Sequence, residues 1–556
     1  MFLPASGSYQ ALKARFSWSI PQDFNMGRAV SDDWADREPD RICLEHFSPD
    51  GAHLSMTYGT LAARSNAFAH ALSQLGIKPG DRVTLLLPQG FETVIAHVAI
   101  YKLGAIALPL ALLFGADALE YRLKTAGAVA VVTNSFGLSR LEPIRAALGD
   151  LSHIVSVDAP AAVGDILSFD ALWQGGSADF SGPVTGPDDP ALMIFTSGTT
   201  GAPKGALHGH RVLAGHIPGF QFAHEGLPLP GDKIWTPSDW AWAGGLLNVL
   251  MPALLLGVPV VSSPAQKFDP AMAFRIMAEM KVRNAFIPPT ALRLLKTIES
   301  PRQQYDLVLR TIGSAGESLG RETYEWVKSA LGITPNEFYG QTECNFVLSS
   351  SAKLGVTKAG AIGKAVPGHS VAIIDDKGRV LPAGQIGQVA IARPDPVMFL
   401  EYWRDPKATA QKFIGDWMLT GDLGRQDSEG YVEFFGRDDD VITSSGYRIG
   451  PAEIEDCLIG HPAVRLAAAV GKPDPVRTEI VKAYVVLAAG FKASPDLARE
   501  IADWVKHRLS MHEYPREVEF IADMPLTTSG KVIRRLLRDR DVSQVAPAER
   551  ARSASA

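Results

Sequence analysis

Apolar positions along roughly the first third of the chain alternate between two rhythms. The stretch 56–76, MTYGTLAARSNAFAHALSQLG, places its apolar residues on one helical face and stops at Gly76. DRVTLLLPQ (81–89) is a short, nearly continuous apolar run and predicts a buried strand. FETVIAHVAIYKLGAIALPL (91–110) predicts a helix running into a strand, and VAVVTN (129–134) and HIVSVD (153–158) predict two more strands. Strands alternating with helices imply βαβ units and a largely parallel sheet. Residues 176–190 form a Pro/Gly/Asp-rich connection.

A second block repeats the alternation. VPVVSS (258–263), NAFIPP (284–289) and the start of LRTIGSAGESL (309–319) read as strands, with AMAFRIMAEMKV (271–282) a helix between the first two. From 360 to 435 the pattern turns β-rich, and SVAIIDDKGRVLPAGQIGQVAIA carries two hairpin-like turns. Beyond 437 the character changes. GRDDDVITSSGYRIGPAEIEDCLIGH reads as turn, strand, turn and helix, KAYVVLAAG as a strand, and DLAREIADWVKHRLSMHEY as an amphipathic helix. No internal repeat is present. The expected fold class is α/β, in two domains. Residues 1–436 form a large N-terminal domain of α/β subdomains plus a β-rich part, and 437–545 a small, mobile α+β domain. The Ala/Ser-rich tail 546–556 is expected to be disordered.

One apolar stretch, GGLLNVLMPALLLGVPVV (244–261), approaches membrane length. Asn248, Pro252, Gly257 and Pro259 interrupt it, so a buried helix leading into a buried strand is the better reading. With 556 residues the chain is too long for one core. Its 46% hydrophobic and 21% charged residues are those of an ordinary globular protein. A net charge of −6 gives no electrostatic reason to expect nucleic acid or an anionic membrane as partner. Cys43, Cys344 and Cys457 are scattered, show no metal spacing and fit a reducing compartment. The first residues show no basic region followed by an apolar one, so the expected location is cytoplasmic.

The candidate chemistry centres on ALMIFTSGTTGAPKG (191–205), in which an apolar strand breaks into a hydroxyl- and glycine-rich loop. Thr196, Ser197, Gly198, Thr199, Thr200 and Gly201 bring backbone N–H groups and hydroxyls to an anion, and Lys204 adds a charge. The order is not that of a Walker A loop, because Lys204 precedes Gly205 rather than Ser or Thr. Such a loop wraps polyphosphate.

TSGTTGAPKG resembles the phosphate loop of the acyl-adenylate-forming enzymes, and the resemblance runs from about residue 25 to about 540. It implies that a carboxylate attacks the α-phosphorus of ATP, that pyrophosphate leaves, and that coenzyme A then takes the acyl group. By that resemblance YGQTE (339–343) supplies Tyr339 to adenine, Thr342 to phosphate and Glu343 to Mg²⁺, with Gln341 beside them. SAGESL (314–319) is the neighbouring adenine-side loop, implicating Gly316 and Glu317. Asp422 of TGD is the expected ribose ligand, since an ionised carboxylate accepts two hydrogen bonds, and Arg437 joins it. Asp439 is the family's hinge. Ser445, Gly446 and Tyr447 line CoA, with Arg448 nearby and Arg477 at a CoA-phosphate position. Lys531, in PLTTSGKVIRR, bridges carboxylate and α-phosphate, so Lys531, Thr342 and Glu343 are the catalytic candidates.

Acetylation would erase the charge of Lys531. The expected partners are therefore an acetyltransferase and a deacetylase acting on Lys531, and the expected assembly a homodimer. The cofactor and substrate set is ATP, Mg²⁺, CoA and a small carboxylic acid. FNMGRAV (24–30), WTPSDWAWAGG (235–245) and YGQTE look most like medium-chain acyl-CoA synthetases, with aryl and branched short acids as alternatives. Trp235, Trp240 and Trp242 offer apolar walls. The acyl-pocket candidates are Asp239, Trp242 and Gly340. Acetyl-CoA synthetases carry Trp at the last position, so Gly340 is expected to leave a longer pocket, and Gly340→Trp to favour acetate or propionate. Rival readings are transfer to a carrier-protein thiol and a non-catalytic scaffold on the same fold.

Overall fold

The computed structural model describes residues 1–48, 53–159, 161–196, 202–263, 268–437, 440–444, 447–474, 477–509, 514–527 and 531–540. The periodic segments fold as their patterns dictate. Tyr58–Gln74 is a helix capped by the Thr57 side chain, which accepts from the Thr60 N–H. Its start is later than the pattern suggests, because Met56 and Thr57 end the strand His53–Thr57. Phe91–Lys102 is a helix buried over nearly its whole length, followed by the strand Ile106–Pro109. The long apolar stretch is Ala243–Gly245, a π-helical turn Leu246–Leu250, the helix Met251–Leu255 and the strand Val260–Ser262. Among the described residues no helix is long and apolar enough to cross a membrane.

Two large sheets face one another across helices. Among the described residues the first has eight strands, with Arg82–Leu86, Ile106–Pro109, Ala128–Thr133, His153–Ser156 and Ile166–Ser168 in parallel pairs. Pro190–Thr196 joins it in parallel and turns back antiparallel through Lys204–Gly209. The second has nine strands, built around parallel Ile234–Trp235, Val260–Ser262, Asn284–Phe286, Thr311–Ser314 and Asn336–Gln341. The early strand Ile42–Phe47 pairs in parallel with Val260–Ser262 and therefore belongs to this second sheet. Sequence order alone does not foretell that crossing. A single buried cluster includes Val83, Leu85, Leu192 and Ile194 of one sheet, Leu44 and Val260 of the other, and helix residues such as Val98 and Ile217.

A third sheet, antiparallel, is formed by Val371–Ile374, Ile386–Ala392, Phe413–Ile414, Trp417–Gln426 and Val432–Arg437. After residue 440 a separate sheet forms from Ile442–Ser444, Tyr447–Ile449, Val464–Asp474, Thr478–Leu487 and Glu517–Phe520. The helices Pro451–Ile459 and Pro495–Arg508 pack on it, and Ile442, Ile454, Val485 and Ile501 share a core of their own. The functional strands come from both large sheets. Pro190–Thr196, Thr311–Ser314 and Asn336–Gln341 run into the loops that carry the candidate motifs, as open α/β sheets place ligands beyond strand C-termini.

One buried charge tests the core. Lys102 closes the helix Phe91–Lys102 and its ammonium donates to Asp32 (2.7 Å), Ser65 (2.9 Å) and Asn66 (2.7 Å). Burial pulls its pKa down to about 8, with Asp32 opposing. A lowered lysine pKa means that the folded state binds fewer protons than the unfolded state above pH 8. The penalty is full below about 8 and is relieved as pH rises toward the ordinary 10.5. The Lys102 contribution to urea-unfolding stability should therefore rise between pH 8 and about 9.5, opposite in sign to that of Cys43, Cys344 and Cys457, whose thiols burial pushes up. Lys102→Met should flatten that rise, and equal slopes in both proteins would contradict the assignment.

Candidate active site

The TGD turn lies at the centre. It sits within the strand Trp417–Gln426, where Asp422 pairs in register with Arg437. Asp422 is buried, and its Oδ2 accepts from the Tyr339 hydroxyl (2.5 Å) and from Gln341 Nε2 (2.6 Å). Its own N–H donates to the Thr420 hydroxyl at 3.0 Å, and that hydroxyl donates to the Val389 carbonyl. Arg437 Nη1 stands 3.8 Å from Oδ1. The carboxylate thus keeps one oxygen for the hairpin and turns the other toward a guanidinium. Burial raises its pKa, and Arg437, Tyr339, Gln341 and Lys531 pull it back down. Gln341 also donates to the Thr420 carbonyl at 2.7 Å, and Lys412 donates to the Leu419 carbonyl at 2.9 Å.

Glu343 is buried, and its Oε1 accepts from the Tyr402 hydroxyl at 2.5 Å. The Lys204 ammonium lies 5.3 Å above the Tyr402 ring. Tyr402 therefore neighbours both Lys204 and Glu343, and Thr342, next in sequence to Glu343, is part-buried. Tyr402 comes from the two-residue strand Glu401–Tyr402, which pairs with Lys204–Gly209. No motif announces it, because a two-residue strand carries no period. A single carboxylate with one oxygen already bonded matches Mg²⁺, which keeps most of its waters and takes one or two protein carboxylates. Among the described residues no group of three or more His, Cys, Asp or Glu forms a metal cage.

Lys531 reaches this site from the C-terminal unit. The Cβ that Gly316 lacks would lie 4.0 Å from Lys531 Cε. Gly316 itself has φ +101, a conformation that glycine adopts readily. Lys531 is tied to Thr527, its N–H donating to the Thr527 hydroxyl at 3.0 Å and its carbonyl accepting from the Thr527 N–H at 2.7 Å. Glu317, by contrast, is tied to Thr290 (2.7 Å) and Arg293 (3.1 Å). Thr196 ends its strand at the entry to the phosphate loop. Ser197, Gly198, Thr199, Thr200, Gly201, Asp439, Ser445 and Gly446 lie outside the described residues, as do the side chains of Tyr447 and Arg448. Arg477 is part-buried beyond Asp474, whose carboxylate accepts from the Arg477 N–H at 2.8 Å.

The tryptophans divide. Trp235 and Trp240 are core residues, and Trp235 Nε1 donates to the Ser263 hydroxyl at 2.8 Å. Trp242 is part-buried and meets Phe114 edge to face at 5.8 Å. Burial pushes the Asp239 carboxyl up to about 6, with the Ala241 N–H opposing. Gly340 packs against backbone. A Cβ there would lie 2.6 Å from the Asn345 Cα and 2.8 Å from its carbonyl carbon. The residue faces the backbone of the returning strand Cys344–Ser349, at the irregularity between Tyr339 and Gln341. Glycine permits that close backbone approach.

The AMP-binding enzyme profile matches residues 31–403, and the AMP-binding enzyme C-terminal domain profile matches 453–531. The chain is 35% identical over 538 residues to "Acyl-coenzyme A synthetase ACSM4, mitochondrial" of Homo sapiens, covering 94% of this chain and 91% of the relative. It is 33% identical to "Uncharacterized acyl--CoA ligase YtcI" of Bacillus subtilis, covering 88% and 91%. Among solved structures, the anthranilate CoA ligase AuaEII with anthranoyl-AMP superposes with TM-score 0.86 at 28% identity, covering 94% of this chain and 98% of that one. A Brucella canis acyl-CoA synthetase gives TM-score 0.75 at 34% identity, covering 97% and 100%. Fold and site define an ATP-dependent, adenylate-forming enzyme. The chain belongs to the AMP-binding enzyme family, among its AMP-forming acyl-CoA synthetases.

Gly340→Ala should cost about 1–3 kcal/mol through overpacking against the returning strand, read as a lower urea midpoint. An unchanged midpoint would contradict the close approach.

Proposed function

We propose that this protein joins a medium-chain carboxylic acid to coenzyme A in two steps on one site. A carboxylate oxygen attacks the α-phosphorus of ATP and pyrophosphate leaves. The CoA sulfur then attacks the acyl carbonyl carbon, AMP leaves with the bonding electron pair, and the thiol proton passes to solvent. The observation that carries the reading is Lys531 standing beside Gly316 and close enough to Asp422 to affect its ionisation, although Lys531 belongs to a unit with its own core.

Each side chain has a part in this scheme. Asp422 and Arg437 hold the ribose, and Tyr339 and the Gly316–Glu317 loop flank the adenine. Thr196, Lys204 and the loop between them hold the phosphates, with Thr342 on the α-phosphate side. Glu343, oriented by Tyr402, holds Mg²⁺, whose charge offsets that of the phosphate oxygens. Lys531 places an ammonium where negative charge grows on the attacked phosphorus. Residues 437–545 then turn at Asp439 to present Ser445, Gly446, Tyr447, Arg448 and Arg477 to CoA. A cytoplasmic location, a homodimer and acetylation of Lys531 belong to the same reading.

A second reading, an aryl acid, has two specific supports. Trp242 and Phe114 form an edge-to-face pair at the part-buried end of the tryptophan segment, and the likeness to an anthranilate CoA ligase is high. A panel of straight, branched and aryl acids assayed for acyl-CoA separates the two.

Lys531→Ala should lower carboxylate-dependent ATP–pyrophosphate exchange by about a hundredfold or more while leaving the reaction of supplied acyl-adenylate with CoA near its normal rate. Equal loss in both half-reactions, or no loss in exchange, would contradict the role given to Lys531.

A further inference from the structure

The helix Arg321–Leu331, in the large unit, begins without a cap of its own. Gly320 stands at its N-cap with φ +74 and provides no side chain. Its leading N–H groups would otherwise lack acceptors. The Arg321 N–H donates to Asp456 Oδ2 at 2.9 Å, and the Glu322 N–H also bonds this carboxylate. Asp456 comes from Pro451–Ile459, a helix of the C-terminal unit, 135 positions along the chain. Gly320 makes room for it, since a Cβ there would lie 2.7 Å from Asp456 Cγ.

The residue next to Asp456 completes a brace. Glu455 accepts from Arg534 Nη2 at 2.8 Å (Oε1) and 2.7 Å (Oε2), and from Arg534 Nε at 3.2 Å. Its Oε1 also accepts from the Ala469 N–H at 2.9 Å, fixing it to the unit's sheet. Arg534 lies three residues beyond Lys531 and also stands 3.5 Å from Asp440, beside the hinge position. Two adjacent carboxylates on one helix thus grip in opposite directions. Glu455 holds the segment that bears Lys531, and Asp456 holds the large unit.

We propose that Asp456 is a positioning residue for acyl-adenylate formation: by capping Arg321–Leu331 across the interface it keeps Lys531 over the nucleotide site, and its release accompanies the turn that admits CoA. The inference rests on the two-step reading above. A cap of this kind biases the population of one orientation and does not touch the reacting atoms.

The test compares Asp456→Ala, Asp456→Asn and the unaltered protein in two assays, carboxylate-dependent ATP–pyrophosphate exchange and single-turnover thioester formation from supplied acyl-adenylate and CoA. Alanine removes the acceptor and should slow exchange about fivefold (about 1 kcal/mol at 1.4 kcal/mol per tenfold) without slowing thioester formation. Asparagine retains a capping oxygen and should keep exchange within about twofold of normal. Equal slowing of both half-reactions by alanine would make Asp456 merely structural and overturn the proposal. So would unchanged exchange in the alanine variant, or an asparagine variant as slow as it. If the unaltered protein shows no carboxylate-dependent exchange, the two-step reading itself fails, which is a distinct result.

Discussion

A carboxylate and a triphosphate repel each other, and bringing them together requires cationic groups fixed along the line of attack. In the proposed scheme those groups come from different lobes. Lys204 follows the phosphate-loop strand in one large sheet, Arg437 ends the third, antiparallel sheet, and Lys531 sits on the C-terminal unit. The fold's large-scale arrangement follows from that requirement. Strands of both α/β sheets lead into candidate motifs, and the smaller unit brings Lys531 beside Gly316. Asp422 links the parts, receiving Tyr339 and Gln341 from the second sheet, facing Arg437 on the neighbouring strand, and feeling the charge of Lys531.

The polar site is stiffened by bonds that the reaction does not use. Tyr402 fixes Glu343, Thr420 fixes the backbone of Asp422, and Thr290 with Arg293 fixes Glu317. Such supports keep donors and acceptors within a few tenths of an ångström of where they are needed. The C-terminal unit is supported differently. Glu455, Arg534 and Asp440 bind its lysine-bearing segment to its own frame.

Much of this was legible in the chain, because local patterns carry local information. The helix Tyr58–Gln74, the strands Arg82–Leu86 and Ala128–Thr133 and the helix Pro495–Arg508 all follow the apolar spacing of their segments. The phosphate-loop strand was legible from composition, and the TGD turn from the family resemblance. What escaped was set by distant partners. Ile42–Phe47 pairs with Val260–Ser262 across more than two hundred residues. Tyr402 enters the site on a two-residue strand, and Asp456 gains its meaning only from a helix end in another unit. The close backbone approach at Gly340 likewise shows only once the returning strand is paired.

The central claim is that positive charge drawn from separate units serves attack on the α-phosphorus. Its most direct measurement is the identity of the nucleotide product when the protein is supplied with ATP, Mg²⁺, CoA and a broad set of carboxylic acids. The account predicts AMP and acyl-CoA in equal amounts, dependent on the acid. Formation of ADP, or AMP released without any acid present and without acyl-CoA, would contradict it.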